Sequence, residues 1–196
     1  MQGDSLPLIM RGLYAGWFAV LNYARFNALG LELISSPIYL EDSMGKLKFY
    51  DIDIDYINHL KSFDKQIPNV GYDKHNKFFC GIVFQINGFN YFAPVSSFNK
   101  QQRTNFLILD KDKPISSIRF GFMFPAPDYV LNLKDFCNEQ QAYKDLINAE
   151  IKYCNSNVHK IYKKAEEVYK IGINKNHPLS YTCCDFKLLE EKSLTY

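Results

Sequence analysis

Lysine, serine and aromatic side chains flank one predicted β-hairpin in this sequence. The hairpin consists of two runs of large apolar and β-branched residues, Phe78–Ile86 and Phe89–Val95, joined by Asn87-Gly88, a strong signal for a two-residue turn. The polar groups at its open end are Tyr72 and Lys77 before the first strand, and Ser96, Ser97, Asn99 and Lys100 after the second. Because a hairpin brings the start of its first strand beside the end of its second, we expect these groups to converge.

Such a set of side chains suits the cleavage of RNA. When a 2′-hydroxyl attacks its own phosphate, the nucleophile must lose a proton, the phosphorane charge must be stabilised and the leaving oxygen must gain a proton. A lysine with hydroxyl neighbours can supply these functions without a metal ion. The 14 tyrosines and 16 phenylalanines of the chain offer rings on which unpaired bases can stack. The same groups also fit a non-catalytic RNA-binding module, and paired serines after a strand often form a turn or cap.

A second basic region lies on a predicted C-terminal helix. Helical spacing starts at Glu139, and a break is expected at Asn155-Ser156-Asn157, which gives two helices, the second ending at Gly172. Lys160, Lys163 and Lys164 lie on or beside one face of the second helix. We interpret this face either as solvated, with partial balance from neighbouring glutamates, or as a phosphate-binding surface.

The remaining elements predict an α+β fold with a mainly antiparallel sheet and flanking helices. Asp53 is expected to cap a helix whose apolar face includes Tyr56, Ile57 and Leu60, and this reading is favoured over a metal site at the three nearby aspartates. Further strands are predicted at Leu47–Tyr50, Phe106–Leu109, Ile118–Phe124 and Thr182–Leu189.

Composition divides the chain into two unlike segments. The whole sequence has 196 residues, 47% of them hydrophobic and 22% charged, with a net charge of +2, which excludes disorder and coiled coil. Residues 1–45 contain no lysine and two basic against four acidic side chains, whereas residues 46–196 contain 21 basic and 17 acidic side chains, a net charge of +4. We expect the working domain to be 46–196 and interpret 1–45 as an extension, either an over-called start with Met44 as the natural one or an amphipathic helix.

The N-terminal segment does not fit a membrane span or a secretory signal. Its longest uncharged run, Gly12–Ala24, is shorter than the roughly 20 residues that cross a bilayer, and it lacks a basic start and a cleavage site. A surface-associated protein anchored by residues 1–45 is a third interpretation. The five cysteines are odd in number and form no CxxC pair, and the four histidines form no metal motif. The sequence therefore predicts a protein of the reducing cytoplasm with no metal or cofactor.

Several ordered blocks from residue 48 onward resemble the ToxN/AbiQ family, the endoribonuclease toxins of type III toxin–antitoxin systems. The blocks are Lys48-Phe49-Tyr50 with Tyr56-Ile57, Lys77 leading into Phe79-Cys80-Gly81-Ile82-Val83, Tyr91-Phe92-Ala93-Pro94-Val95-Ser96-Ser97, Phe122-Met123-Phe124-Pro125, and Thr182-Cys183-Cys184-Asp185-Phe186. The resemblance covers 46–196. It implies a strongly twisted antiparallel sheet with flanking helices, distantly similar to the MazF-like toxins.

The resemblance also implies an activity, a partner and site residues. It implies metal-independent cleavage to 2′,3′-cyclic phosphate and 5′-hydroxyl ends, with cellular or phage RNA as substrate and no DNA or membrane partner. The implied antitoxin is a small repeat RNA, folded as a pseudoknot, that the toxin processes and holds in a closed protein–RNA assembly. The implied catalytic groups are Lys77 and Ser97, with Ser96, Tyr72 and Tyr56 lining the site, and the RNA contacts expected there are Tyr56, Asn99 and Lys100. Lys160, Lys163 and Lys164 are expected RNA contacts because of the basic helix face described above and not because of the resemblance.

Overall fold

The computed structural model describes residues 45–71 and 77–196, which fold around an antiparallel β-sheet. Its strands are β1 (Lys48–Ile52), β2 (Phe79–Ile86), β3 (Phe89–Ser96), β4 (Asn105–Asp110), β5 (Lys113–Arg119), β6 (Phe124–Pro125) and β7 (Leu131–Leu133). The strand order is β4-β5-β3-β2-β1-β7, and β6 pairs with β3. The helices are α1 (Ile54–Phe63), α2 (Gln141–Ser156), α3 (Val158–Ile173) and α4 (Phe186–Ser193). The predicted α+β class with an antiparallel sheet is confirmed.

Two sequence predictions fall on residues that the structure does not describe. The amphipathic helix within residues 1–45 lies outside the described residues, and so does Tyr72. The boundary at residue 46 stays a prediction.

The central hairpin of β2 and β3 forms where the sequence predicts it. Asn87 and Gly88 both have positive φ, at 50° and 82°, the geometry of the type I′ turn that Asn-Gly favours. Next to the turn, Ile86 pairs with Phe89, but farther along the strand Phe79 pairs with Pro94. The register therefore shifts by two residues at an irregularity between Gly81 and Phe84.

Gly81 at this irregularity leaves room for an aromatic ring. A Cβ at this position would lie 2.1 Å from a ring carbon of Phe92, so no side chain fits without moving the ring. The close approach of the Phe92 ring to the β2 backbone thus requires glycine.

Helix α1 starts at the cap that the sequence predicts. The Asp53 carboxylate accepts a hydrogen bond from the Asp55 backbone N–H at 2.8 Å. Tyr56, Ile57 and Leu60 then form the buried face of the helix. The capping interpretation of these aspartates is confirmed.

Helices α2 and α3 are separated at a single residue, Asn157. Its backbone has φ −129° and ψ 22°, which ends α2 and starts α3. The predicted break is confirmed, but α3 continues one residue past Gly172 to Ile173. Gly172 lies inside the last turn because the Phe186 ring packs there: a Cβ on Gly172 would be 2.4 Å from a ring carbon.

Two predicted strands are wrong in extent or type. Over residues 118–124, β5 ends at Arg119, a 3-10 turn follows, and only Phe124–Pro125 returns to the sheet as β6. The strand predicted at Thr182–Leu189 is a 3-10 turn followed by α4. The Asp185 carboxylate caps α4 by accepting from the Leu188 N–H at 3.3 Å, and the buried Phe186, Leu189, Glu190 and Ser193 follow helical spacing.

Helices cover both faces of the sheet. Cys80 in β2 lies against Cys154 of α2, whereas the ring of the preceding Phe79 lies 5.3 Å from that of Phe124, which is itself 6.5 Å from Tyr56 in α1. Because successive strand residues point to opposite faces, α2 and α1 lie on opposite sides of β2.

Helix α4 is fixed to the core by one buried carboxylate. Glu190 accepts hydrogen bonds from the Tyr91 hydroxyl at 2.8 Å and from the Tyr169 hydroxyl at 2.6 Å. Lys187 also contacts Glu190, at 2.8 Å. Hydrogen bonds of this kind to a charged group contribute about 1.5–3 kcal/mol each, so the last helix is held firmly against β3 and α3.

Candidate active site at the open end of the central hairpin

The shifted register of β2 and β3 places Lys77 opposite Ser96. Phe79 pairs with Pro94, and the next step is closed by a hydrogen bond from the Val95 N–H to the Phe78 carbonyl at 3.1 Å. Continued one residue farther, beyond the last paired residue of β2, this register sets Lys77 opposite Ser96. The ladder supports the convergence predicted for the open end of the hairpin as far as Phe78 and Val95.

Lys77 lies in a partly desolvated position. Its side chain is half-buried, and its backbone N–H donates to the Val70 carbonyl at 2.9 Å. Burial lowers the pKa of the Lys77 ammonium, and the nearby positive charge of Arg119 lowers it further. A lowered pKa increases the neutral fraction of the amine, which is the form that can accept a proton.

The two serines after β3 have different environments. Ser96 is half-buried, and its Oγ accepts a hydrogen bond from the Phe98 N–H at 3.3 Å. Ser97 is exposed. The first hydroxyl thus shapes the turn, and the second projects from it with its donor available to a substrate.

Buried polar side chains hold the loop that follows. The Ser117 hydroxyl donates to the Phe98 carbonyl at 2.6 Å, and the Asn105 amide donates to the Lys100 carbonyl at 3.0 Å. Ser117 and Asn105 are both buried. Asn99 and Lys100 are exposed on this anchored loop.

Arg119, at the end of β5, is a further charged group at this site that the sequence reasoning missed. Its guanidinium carbon lies 4.8 Å from the ring centre of Phe98 and 4.9 Å from that of Phe122. In the sequence Arg119 is the second residue of the strand predicted at Ile118–Phe124, and the pairing of β5 with β3 that brings it near the end of β3 has no local sequence signal.

Tyr56 is not part of this site. Its side chain is fully buried, and its hydroxyl donates to the Pro125 carbonyl at 2.5 Å. The predicted contact of Tyr56 with RNA is therefore corrected: the side chain packs in the core between α1 and β6, and the α1 face that carries it is turned inwards.

The basic face of α3 is partly neutralised. Lys164 contacts Glu167 at 3.1 Å, and Lys170 contacts Glu166 at 2.7 Å, both on the same helix. Lys160 and Lys163 are exposed. Of the three lysines predicted to bind RNA here, these two present their charge to solvent more fully than Lys164 does.

The described residues contain neither a metal-binding cluster nor a membrane-spanning helix. Within residues 45–71 and 77–196, no group of three or more His, Cys, Asp or Glu side chains is arranged to hold a metal ion. No helix in this part of the chain has the length and apolarity needed to cross a bilayer. All five cysteines carry free thiols.

The sequence matches one protein family over most of its length. A family model described as "Toxin ToxN, type III toxin-antitoxin system" matches residues 48–193. The chain is 28% identical over 162 residues to Endoribonuclease ToxN of Bacillus thuringiensis subsp. kurstaki, which covers 76% of this chain and 84% of that protein. It is also 28% identical over 179 residues to Endoribonuclease AbiQ of Lactococcus lactis subsp. lactis, which covers 83% and 96%.

Solved structures share the fold. One, described as showing selective toxin inhibition by a non-coding RNA pseudoknot in type III toxin–antitoxin systems, superposes with a TM-score of 0.70 at 27% identity, covering 78% of this chain and 98% of that chain. Another, of AbiQ, described as a lactococcal anti-phage endoribonuclease belonging to the type III toxin–antitoxin system, gives a TM-score of 0.70 at 28% identity with the same coverage.

Proposed function

Because the chain belongs to the ToxN family of type III toxin–antitoxin toxins, we propose that the end of its central hairpin cleaves RNA by transesterification without a metal ion. The chain is an endoribonuclease toxin of phage defence, and its antitoxin is a non-coding RNA. The products we propose carry a 2′,3′-cyclic phosphate and a 5′-hydroxyl.

In the proposed reaction, Lys77 acts on the attacking 2′-hydroxyl and Ser97 acts on the leaving 5′-oxygen. The neutral Lys77 amine takes the proton of the 2′-hydroxyl, and the 2′-oxygen forms a bond to the adjacent phosphorus. The bond from phosphorus to the 5′-oxygen breaks, and that oxygen takes a proton from the Ser97 hydroxyl, which recovers one from solvent, while the Lys77 ammonium releases its proton to solvent. The lowered pKa of Lys77 supports the base role, since an ordinary lysine is protonated at neutral pH.

The observation that supports this proposal is the shifted hairpin register, which sets Lys77 opposite Ser96 when it is continued one residue past the hydrogen bond from the Val95 N–H to the Phe78 carbonyl. It brings a desolvated amine next to a turn whose neighbouring residue, Ser97, is exposed. Ser96 lines the site by holding the turn, and Tyr72, which precedes Lys77 in the sequence, is proposed to line it as well. Asn99 and Lys100 are proposed to contact the RNA backbone.

The test is cleavage of a single-stranded RNA by the purified full-length chain and by Lys77→Met. Methionine keeps the length of the side chain and removes the amine. We expect the variant to cleave about 10²–10⁴-fold more slowly, the range for loss of a general base. Lys113→Met, an exposed lysine at the far end of β5, is the matched control and should cleave at the wild-type rate. A Lys77→Met enzyme with wild-type activity would show that Lys77 is not the base.

The same experiment separates cleavage from simple binding. A non-catalytic RNA-binding module would bind the RNA with an affinity that falls with salt and would leave it intact. That alternative would be supported if the wild-type protein bound the RNA without cutting it. Cooperative thermal unfolding under the same conditions would show that the protein is folded.

We further propose that the toxin holds its antitoxin RNA in a closed protein–RNA assembly in the cytoplasm. The exposed Lys160 and Lys163 on α3 offer charge to RNA phosphates away from the hairpin end, with a smaller contribution from the paired Lys164. The family match and the described site both lie within residues 46–196, which supports that segment as the catalytic domain. A chain expressed from Met44 should retain cleavage.

A further inference from the structure

We propose that Arg119 is a further catalytic residue, whose guanidinium binds the scissile phosphate and stabilises the phosphorane. The inference rests on the proposed function, because it assigns a phosphate-binding group to the same site. It concerns a residue on β5, a strand that contributes none of the groups predicted from the sequence.

The sheet register places Arg119 on the same face as Lys77 and Ser96. Ser96 pairs with Ser117 and Val95 with Ile118, so the next step brings Arg119 beside Pro94. Residues opposite each other in neighbouring strands point to one face, and so do residues two apart in one strand. Lys77 and Arg119 thus flank β3 on either side, and both extend from the face that carries Ser96.

Two aromatic rings fix the position of the guanidinium. Phe98 and Phe122 lie within 5 Å of its central carbon, and Phe98 is itself held through its carbonyl by Ser117. Stacking on rings orients the guanidinium plane while leaving its edge N–H groups available, and that edge matches two oxygens of one phosphate. A cation fixed before substrate binds needs no reorganisation in the transition state.

The charge of Arg119 is partly removed from solvent. Arg119 is half-buried, and burial alone accounts for the lowered pKa of its guanidinium, with no opposing contribution from a carboxylate among the described residues. Its charge also lowers the pKa of Lys77. A partly desolvated cation is unfavourable for folding unless an anion compensates its charge, and groups perturbed in this way are common at functional sites. A phosphate bound at the guanidinium supplies that compensation.

A purely structural role for Arg119 is the competing explanation. The guanidinium bridges the rings of Phe98 and Phe122, so the side chain could serve only to hold the loop after β3. The two roles differ in what a substitution changes. Loss of a structural bridge lowers the melting temperature or the RNA affinity, whereas loss of a phosphorane contact slows the chemical step at saturating protein.

The test is the single-turnover cleavage rate of full-length Arg119→Gln and Arg119→Lys at saturating protein, with the dissociation constant of the RNA and the melting temperature measured in parallel. We expect Arg119→Gln to slow cleavage about 10²–10³-fold, the range for loss of one transition-state donor, with a change in RNA affinity below threefold. Arg119→Lys keeps the charge without the paired N–H groups and should recover part of the rate. Arg103→Gln, an exposed arginine in the loop before β4, is the matched control and should cleave at the wild-type rate.

Each outcome bears on one claim. An Arg119→Gln rate within threefold of wild type overturns the inference, and so does a rate loss that is matched by the loss in RNA affinity or appears only near the melting temperature. If the wild-type protein itself does not cleave RNA, the proposed function fails. If wild type cleaves and Arg119→Gln cleaves equally well, only the role of Arg119 is lost.

Discussion

Replacing Ser96 and Ser97 separately by alanine distinguishes a hydroxyl that shapes the site from one that acts on RNA. The Ser96 Oγ accepts the Phe98 N–H at 3.3 Å, at the long end of the hydrogen-bond range. A weak neutral hydrogen bond contributes about 0.5 kcal/mol, so Ser96→Ala should shift the population of the competent turn, and with it the cleavage rate, by only about two- to threefold.

Ser97→Ala is expected to have the opposite profile. The Ser97 side chain is exposed, and surface substitutions of this kind usually change the free energy of unfolding by less than about 0.5 kcal/mol. If its hydroxyl protonates the leaving 5′-oxygen, cleavage should slow by about 10²–10⁴-fold, equivalent to roughly 3–5 kcal/mol of transition-state stabilisation.

The assay is single-turnover cleavage of an end-labelled RNA with protein in excess, together with thermal unfolding of each variant. Single-turnover conditions isolate the chemical step from product release. A Ser97→Ala rate within threefold of wild type would refute the assignment of the leaving-group role. A hundredfold loss for Ser96→Ala at unchanged melting temperature would show that the two serines have been assigned the wrong way round.

Three further predictions concern the rest of the described chain. Tyr56→Phe leaves the buried Pro125 carbonyl without its partner and should lower the free energy of unfolding by about 1–3 kcal/mol in denaturant titrations, with RNA affinity unchanged; a selective loss of affinity would restore Tyr56 as an RNA contact. Burial raises the pKa of the Glu150 carboxyl above 4.5, so the folded state binds this proton more tightly than the unfolded state, and stability is lost as pH rises through the folded pKa. Glu150→Gln should therefore melt at a higher temperature than wild type at pH 8 and at the same temperature at pH 3; equal melting at both would contradict this. Replacing exposed Lys160 and Lys163 by glutamine should make the plot of log affinity for antitoxin RNA against log salt concentration shallower, by the equivalent of about two phosphate contacts. An unchanged slope of that plot would assign these lysines to a solvated face.

Local signals in the sequence predict most of the elements of the fold. Asn87-Gly88 determines a turn because only residues that tolerate positive φ fit a type I′ geometry, and Asp53 caps α1 because its carboxylate reaches the second backbone N–H of the helix. The strand predicted at Thr182–Leu189 was wrong because this short apolar segment has no strong local preference for strand over helix. The Asp185 cap and the burial of Phe186 against α3 stabilise the helix there.

The candidate site was only partly predictable because its geometry depends on long-range pairing. Counting outwards from the turn pairs Lys77 with Phe98, and only the two-residue shift after Gly81 brings it to Ser96. No local feature of the sequence predicts that register shift. Arg119 was missed for the same reason, since the pairing of β5 with β3 joins segments that have no turn signal between them. The helical period placed Tyr56 correctly on the buried face of α1, whereas the resemblance made it an RNA contact; no local signal shows that its hydroxyl is bound inside the core by the Pro125 carbonyl.

The central claim is that this toxin cuts RNA through its own side chains at the hairpin end. Its most direct test is the chemistry of the ends left by the wild-type protein when it cleaves a defined RNA in the presence of excess EDTA, determined by mass spectrometry. We expect undiminished cleavage with 2′,3′-cyclic phosphate and 5′-hydroxyl ends. Cleavage that EDTA abolishes, or products that carry 5′-phosphate and 3′-hydroxyl ends, would contradict it.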